Sequence, residues 1–390
     1  MSRRLAVAGA VVGVLFIACN PGAREAEPFQ GNWQSEAWGT YLSVDGGSIE
    51  IFEFSAVHCF SVASGGARGV GEVLSMENEV LVLEDAGRTV RFERTEFLPE
   101  ECIDPVASDP VATFQVLAAT FEEHYLPGVD AAWAARVETV RPPVGVSDDS
   151  LLDALTSLLE PLERIDVRLS AEGDVWAAAR AAPIDFPNFE LSDRGGILTG
   201  SVGDGITYLA FRRLGEFADD ADGSQRAAAD AIDAAVAAGN SLVLDLRGSD
   251  GGAIDHAMLI ASRFLATETL IARLAARGAT GFVPAGNVTV RPLPTGTFEG
   301  TTAVLVGPGT IGVAELLAAA LQGTDGVTIV GQRTAGSAGP AMVRFLPNGW
   351  SVGLPNLRVT LPDGTDLADG VQPDVLAEDA LASALELLSE

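Results

Sequence analysis

Leu242-Val243-Leu244-Asp245-Leu246 followed by Arg247-Gly248-Ser249-Asp250-Gly251-Gly252 is the stretch that decides the fold of this chain. The first five residues are apolar but for one aspartate, as in a strand buried on both faces of a parallel sheet. The six that follow form a glycine-rich loop, after which Ile254–Leu265 has the pattern of a helix. Parallel strands need helical crossovers, and these are legible on either side. Upstream lie a strand at Ile206–Phe211 and an alanine-rich helix at Gln225–Ala238. Downstream come strand Thr302–Val306, helix Val313–Leu321 and strand Val327–Val330. Asn348-Gly349 then has the residues of a tight hairpin turn between Met342–Leu346 and Ser351–Leu354. An α/β core over residues 171–390 is the expectation.

The preceding residues read differently. Between residues 31 and 104 short alternating segments are separated by glycine and Asn/Asp: Tyr41–Val44, Ile49–Phe54, Val80–Leu83 and Val90–Phe92. That spacing predicts a small antiparallel β domain, a sandwich or a barrel. Residues 105–170 read as three helices. Asp109-Pro110 supplies an N-cap and a first helical residue, with Phe114, Leu117, Ala118 and Phe121 on one face. A second helix runs from Asp130 through Trp133 to Val140. Ser147 caps the third, which repeats leucine at 151, 152, 155, 158 and 159.

The amino terminus reads as an export signal over residues 1–19 and a short tether over 20–30. Arg3 and Arg4 precede an apolar run, Leu5–Ile17, that is short for a bilayer span. It ends in Phe16-Ile17-Ala18-Cys19, which is similar to a bacterial lipobox and makes Cys19 the candidate lipidated residue. Asn20 after that cysteine goes with sorting to an outer membrane, facing the periplasm or the exterior. Removing Cys19 leaves Cys59 and Cys102, an even number in an oxidising compartment. They read as a disulfide or as two buried thiols.

Composition removes several classes of function. A formal net charge of −30 argues against nucleic acid and against binding to anionic lipid by charge alone. Three scattered histidines with no Cys/His spacing give no metal site, and no cofactor is expected. The glycine loop lacks the lysine of a phosphate-binding loop. His58 reads as packed or surface, His124 as structural, and His256 as a surface residue at a helix start.

The ordered set of motifs from Asp109 to Asp374 resembles the tail-specific, or C-terminal-processing, serine peptidases. Leu244–Gly252 resembles their Asp-Leu-Arg-Asn-x-Gly-Gly signature, and Val304–Ala320 the segment that holds their nucleophile. Gly331-Gln332-Arg333-Thr334-Ala335-Gly336 resembles Gly-Glu-x-Thr-x-Gly, and Gly370-Val371-Gln372-Pro373-Asp374 a later element. Residues 114–169 resemble the helical lead-in of lysine-free relatives, the tricorn core and retinoid-binding repeats. The resemblance implies a ClpP/crotonase-like α/β spiral preceded by the helices and the β domain.

It also implies where catalytic groups should stand, and they are replaced. The family nucleophile, a serine in Ser-Ala-x-Glu, corresponds to Gly312 in Gly312-Val313-Ala314-Glu315. The dyad lysine corresponds to Ser337 and its glutamine helper to Ala341; every basic residue in the chain is arginine. The histidine that lysine-free relatives use corresponds to Asp166. The backbone N–H groups of Gly251, Gly252 and Val313 match the oxyanion site and survive loss of side chains. The expectation is therefore an exported lipoprotein with a non-catalytic peptidase-like core, binding a peptide, a protein C-terminus or an apolar ligand in the former cleft. Two alternatives stand: an active serine peptidase with an unrecognised nucleophile and base, such as Ser337 with Asp166, and a structural or assembly role at the outer membrane.

Overall fold

The computed structural model describes residues 27–66, 74–85, 88–103, 109–126, 128–171, 173–179, 191–202, 205–215, 221–238, 241–278, 280–293 and 297–389. The lipobox-like residues 16–19 lie outside them. In chain order the strands and helices are β1 Gly31–Ser35, β2 Thr40–Asp45, β3 Ser48–Phe54, β4 Cys59–Gly66, β5 Leu74–Glu77, β6 Val80–Asp85 and β7 Arg88–Thr95. Next come α1 Glu100–Ile103, α2 Pro110–His124, α3 Trp133–Val140, α4 Asp148–Leu159, β8 Arg168–Ala171 and β9 Asp174–Ala177. The α/β part holds β10 Ser192–Arg194, β11 Ile197–Val202, β12 Ile206–Phe211, α5 Ala221–Ala238, β13 Ser241–Asp245 and α6 Ile254–Ala261. It continues with β14 Thr269–Gly278, β15 Gly281–Val290, β16 Thr301–Val306, α7 Val313–Leu321 and β17 Val327–Gly331. The last are β18 Met342–Phe345, β19 Ser351–Leu354, β20 Leu357–Thr360, β21 Val375–Leu376 and α8 Ala380–Ser389.

These elements gather into two compact units, and neither is one continuous stretch. The first takes the chain up to residue 179 with 275–286 and 341–357; the second takes 180–274, 287–340 and 358–390.

In the first unit β1–β7 form one antiparallel sheet in the order β4-β3-β2-β1-β7-β6-β5. Strands β4 and β5 are its edges, so among the described residues it is an open sheet and not a closed barrel. Trp33, fully buried on β1, donates from its indole to Phe29 O at 2.7 Å, as a buried ring N–H must. Cys59 and Cys102 are joined by a disulfide with 4.6 Å between Cα atoms, packed among Tyr41, Phe52, Phe54 and Leu98. The helices follow their caps: Asp109 accepts from Ala112 N at the start of α2, and Ser147 from Ser150 N at the start of α4. Helix α3 begins at Trp133, later than the Asp130 start expected, because residues 131 and 132 are still in a turn. Trp133 stacks on Phe121 of α2 at 5.5 Å. A four-stranded sheet, β18-β19-β8-β9, completes this unit. Its hairpin turns at Asn348-Gly349 as expected, closed by Leu346 N donating to Trp350 O.

In the second unit the sheet order is β10-β11-β12-β13-β16-β17-β21. From β12 onward every pairing is parallel, whereas β10 and β11 pair antiparallel. One face buries Tyr208, Val243, Ala303, Leu305 and Val330 against Ala380 and Ala384 of α8. Helix α6 ends at Ala261, earlier than the Leu265 expected. Arg263 N donates to Ile260 O and Phe264 N to Ala261 O, so the last residues are tight three-residue turns.

Candidate functional site

The second unit brings three loops together at the carboxyl ends of neighbouring parallel strands β13, β16 and β17, the usual place for a site in an open α/β sheet. The first loop is tied down at Asp245, the last residue of β13. Its buried carboxylate accepts from Arg247 N at 3.0 Å, from Arg247 Nη2 at 2.7 Å and from the hydroxyl of Tyr208 on β12 at 2.7 Å. Burial first, and then the Asp245 charge, push the Tyr208 phenol far above its ordinary pKa, so it stays a donor. Asp245 and Arg247 of the signature stretch are thus a strut for the loop.

Gly251 and Gly252 lie at the loop's far end. Leu214 N donates to Gly251 O at 2.7 Å and Ala253 N to Leu214 O at 2.8 Å. A Cβ on Gly252 would run into the Leu214 carbonyl, which explains the glycine without any appeal to chemistry.

The second loop follows β16. Thr310 Oγ1 donates to Leu246 O at 2.8 Å, and Ile311 N to Ser249 O at 3.1 Å, stitching it to the glycine loop. Gly312 caps α7 at φ 61°, ψ −131°, a conformation that costs any side-chain-bearing residue strain. A Cβ on Gly251 would stand 3.5 Å from both Gly312 Cα and Val313 N, so the two glycines and the start of α7 meet. Among the described residues the N–H groups of Gly251, Gly252 and Val313 have no backbone acceptor. Backbone donors therefore collect here, at the positive end of a helix.

The third loop follows β17 and is held by Glu315, which is fully buried in the first turn of α7. Its carboxylate accepts from Thr334 Oγ1 at 2.5 Å, Gly336 N at 2.7 Å and Ser337 N at 2.7 Å. Thr334 Oγ1 in turn accepts from Val371 N at 2.7 Å. The chain then turns tightly, with Gly339 N donating to Ser337 O at 2.8 Å. A side chain on Gly312 would begin 3.2 Å from Gly339 O and 3.9 Å from Ser337 O. Gly312 thus faces carbonyl oxygens of this turn.

The remaining sequence-derived positions fall elsewhere. Asp166 belongs to the first unit and is buried, with Arg164 gripping both its oxygens at 3.0 and 2.8 Å. Ala341 is exposed. His256 corrects its reading as a surface residue: it is buried in the first turn of α6, because the face of that helix carrying Ala257, Ile260 and Ala261 is buried too. His58 is half-buried in the turn between β3 and β4. His124 is buried and meets Arg277 O at 3.2 Å, as a structural histidine should. No group of three or more His, Cys, Asp or Glu suited to a metal is present among the described residues. Sequence reasoning missed the role of Glu315; a lone acid in the apolar run Val313–Leu321 was its signal.

Known proteins bear out the resemblance to the tail-specific serine peptidases. Residues 206–377 match the sequence model of peptidase family S41. A carboxyl-terminal-processing protease of Synechocystis is 30% identical over 150 residues, which are 38% of this chain and 33% of that protein. The chain thus spans about a third of the length of that relative. A candidate peptidase of Parabacteroides merdae superposes with a TM-score of 0.58 at 19% identity, covering 72% of this chain and 97% of its own. A lipoprotein of Streptococcus agalactiae does so with 0.51 at 14% identity, covering 75% and 98%. These two likenesses concern the fold, and the fold class is the one expected: mixed α/β after an N-terminal antiparallel sheet.

Proposed function

We propose that this protein is an exported, lipid-anchored and non-catalytic relative of the tail-specific peptidases, holding a peptide, a protein C-terminus or an apolar ligand in the former active-site cleft. The observation that carries the reading is Gly312. The resemblance gives it the nucleophile's place, and it has no side chain, a backbone conformation suited to glycine and the Gly339 and Ser337 carbonyls beside it. Acyl transfer needs a nucleophile and a base within hydrogen-bond reach. Asp166, at the position of the relatives' base, is committed to Arg164. The backbone donors of Gly251, Gly252 and Val313 remain, and they support binding of a carbonyl or carboxylate. The lipid anchor is placed at Cys19 and the protein in the cell envelope, facing the periplasm or the exterior. Among the described residues no helix is long and apolar enough to cross a membrane.

The test is reactivity toward a fluorophosphonate, which labels only activated serines quickly, together with turnover of peptides ending in apolar residues. Neither labelling nor turnover above background is expected. Gly312→Ser alone should not create either, since the hydroxyl would have no base and would sit against Gly339 O. Stoichiometric labelling of the unaltered protein at one serine would establish the peptidase reading instead.

A further inference from the structure

The turn after β17 is tied to α7 more firmly than its length requires. Glu315 receives three hydrogen bonds from Thr334–Ser337, all at 2.7 Å or less, two of them buried and the one from Ser337 half-buried. Thr334 fixes the other side, exchanging bonds with Val371: Thr334 N donates to Val371 O at 3.2 Å and Val371 N to Thr334 Oγ1 at 2.7 Å. A Cβ on Gly336 would overlap Ala368 O, and one on Gly370 would overlap Thr334 O, so the turn has been packed in by shaving both neighbours to glycine. What this fixed turn presents is the pair of carbonyls at Ser337 and Gly339, the nearer one 3.2 Å from where a Gly312 side chain would begin. Gly312 itself is buried.

We propose that Thr334–Gly339 is a strap clamped by Glu315 over Gly312, and that the cleft opens to a ligand when the clamp lets go. Glu315 is then a positioning residue: it touches no ligand and acts through the carbonyls of Ser337 and Gly339. Each donor lost from a buried carboxylate leaves it less compensated, so the bonds from Thr334, Gly336 and Ser337 resist release of the turn. The second half of the proposal rests on the reading of the cleft as a ligand site; the strap does not.

The experiment places a reporter under the strap. In the full chain with Cys19→Ser, the other two cysteines being joined, Gly312→Cys introduces the one free thiol. Its modification by N-ethylmaleimide should be slow, and at least about tenfold faster when Glu315→Gln or Thr334→Val is added. An equal rate with and without the clamp, fast or slow, overturns the strap. Should Gly312→Cys not fold, hydrogen exchange on the unaltered protein replaces it. The Gly336 and Ser337 amides should be protected, and Glu315→Gln should speed them about tenfold or more while the amides of α7 keep their rates. Unprotected amides, or protection that survives the substitution, overturn it equally. No ligand enters either readout, so a failed search for a ligand leaves the strap standing and a failed strap leaves binding open.

Discussion

Arg344 is the side chain on which the first unit turns. Its guanidinium is buried and donates to Trp38 O at 3.1 Å, Gly39 O at 2.6 Å and Phe54 O at 2.5 Å, with Glu53 3.7 Å from its Nε. Arg344→Met should cost about 3–5 kcal/mol in chemical denaturation, because Glu53 and three carbonyls lose their partner inside the protein. The same cluster makes stability depend on pH in two opposed ways. Burial pushes Glu53 up to about 7 against the pull of Arg344. A carboxyl raised in the fold adds stability that is complete below its unfolded value near 4.5 and lost as pH rises through about 7. Burial, and then the Arg344 charge, lower His124 to about 3 from 6.5. A lowered histidine adds stability that is complete above its unfolded value and lost as pH falls toward about 3. Between about 4.5 and 6.5 the two nearly cancel, each worth about 1.4 kcal/mol per pH unit. Glu123 is raised as well, chiefly by burial, and adds to the Glu53 side. Glu53→Gln should therefore unmask a loss of stability on acidification from pH 6.5 to 4.5 that the unaltered protein shows only weakly. Melting temperatures across that range check it; parallel curves for the two proteins would mean that Glu53 does not titrate there. None of this cluster was legible in the sequence: Glu53 and Arg344 are 291 positions apart and look like ordinary outward-facing charges on short strands.

At the level of elements, local signals were read well wherever a short-range rule sufficed. Asp109 and Ser147 cap α2 and α4 as their residue types require. Asp109→Ala should lower stability by about 1 kcal/mol, the usual cost of losing a cap, measured by urea unfolding. Ends set by packing were read less well. Helix α6 stops four residues before the apolar pattern does, and α3 starts three after its expected beginning. The disulfide between β4 and α1 spans 43 positions and anchors the carboxyl end of the sheet segment. Replacing both cysteines by alanine should cost about 4 kcal/mol in the chain-entropy view, seen as a lower urea midpoint. An unchanged midpoint would show that the packing of Tyr41, Phe52 and Leu98 holds α1 in place without the bond.

For the whole molecule, the outstanding expectation concerns anchoring: the mature chain should begin at a lipidated Cys19. Mass spectrometry of the native amino terminus checks this, and an unmodified Cys19 or cleavage elsewhere would remove the anchor. The sequence by itself determined the α/β class, most of the strands and helices from Ile206 to Val330, though not β14 and β15, and the antiparallel character of residues 31–95. Those follow from periodicity, turn residues and ordered motifs, all of which act over a few residues. Tertiary structure alone decided which residues share a unit, since the chain crosses between the two at 179, 274, 286, 340 and 357. It alone showed that Glu315 holds the turn beside Gly312 and that His256 is buried. Hydrogen bonds and burial join residues by distance in space, and the sequence records only distance along the chain.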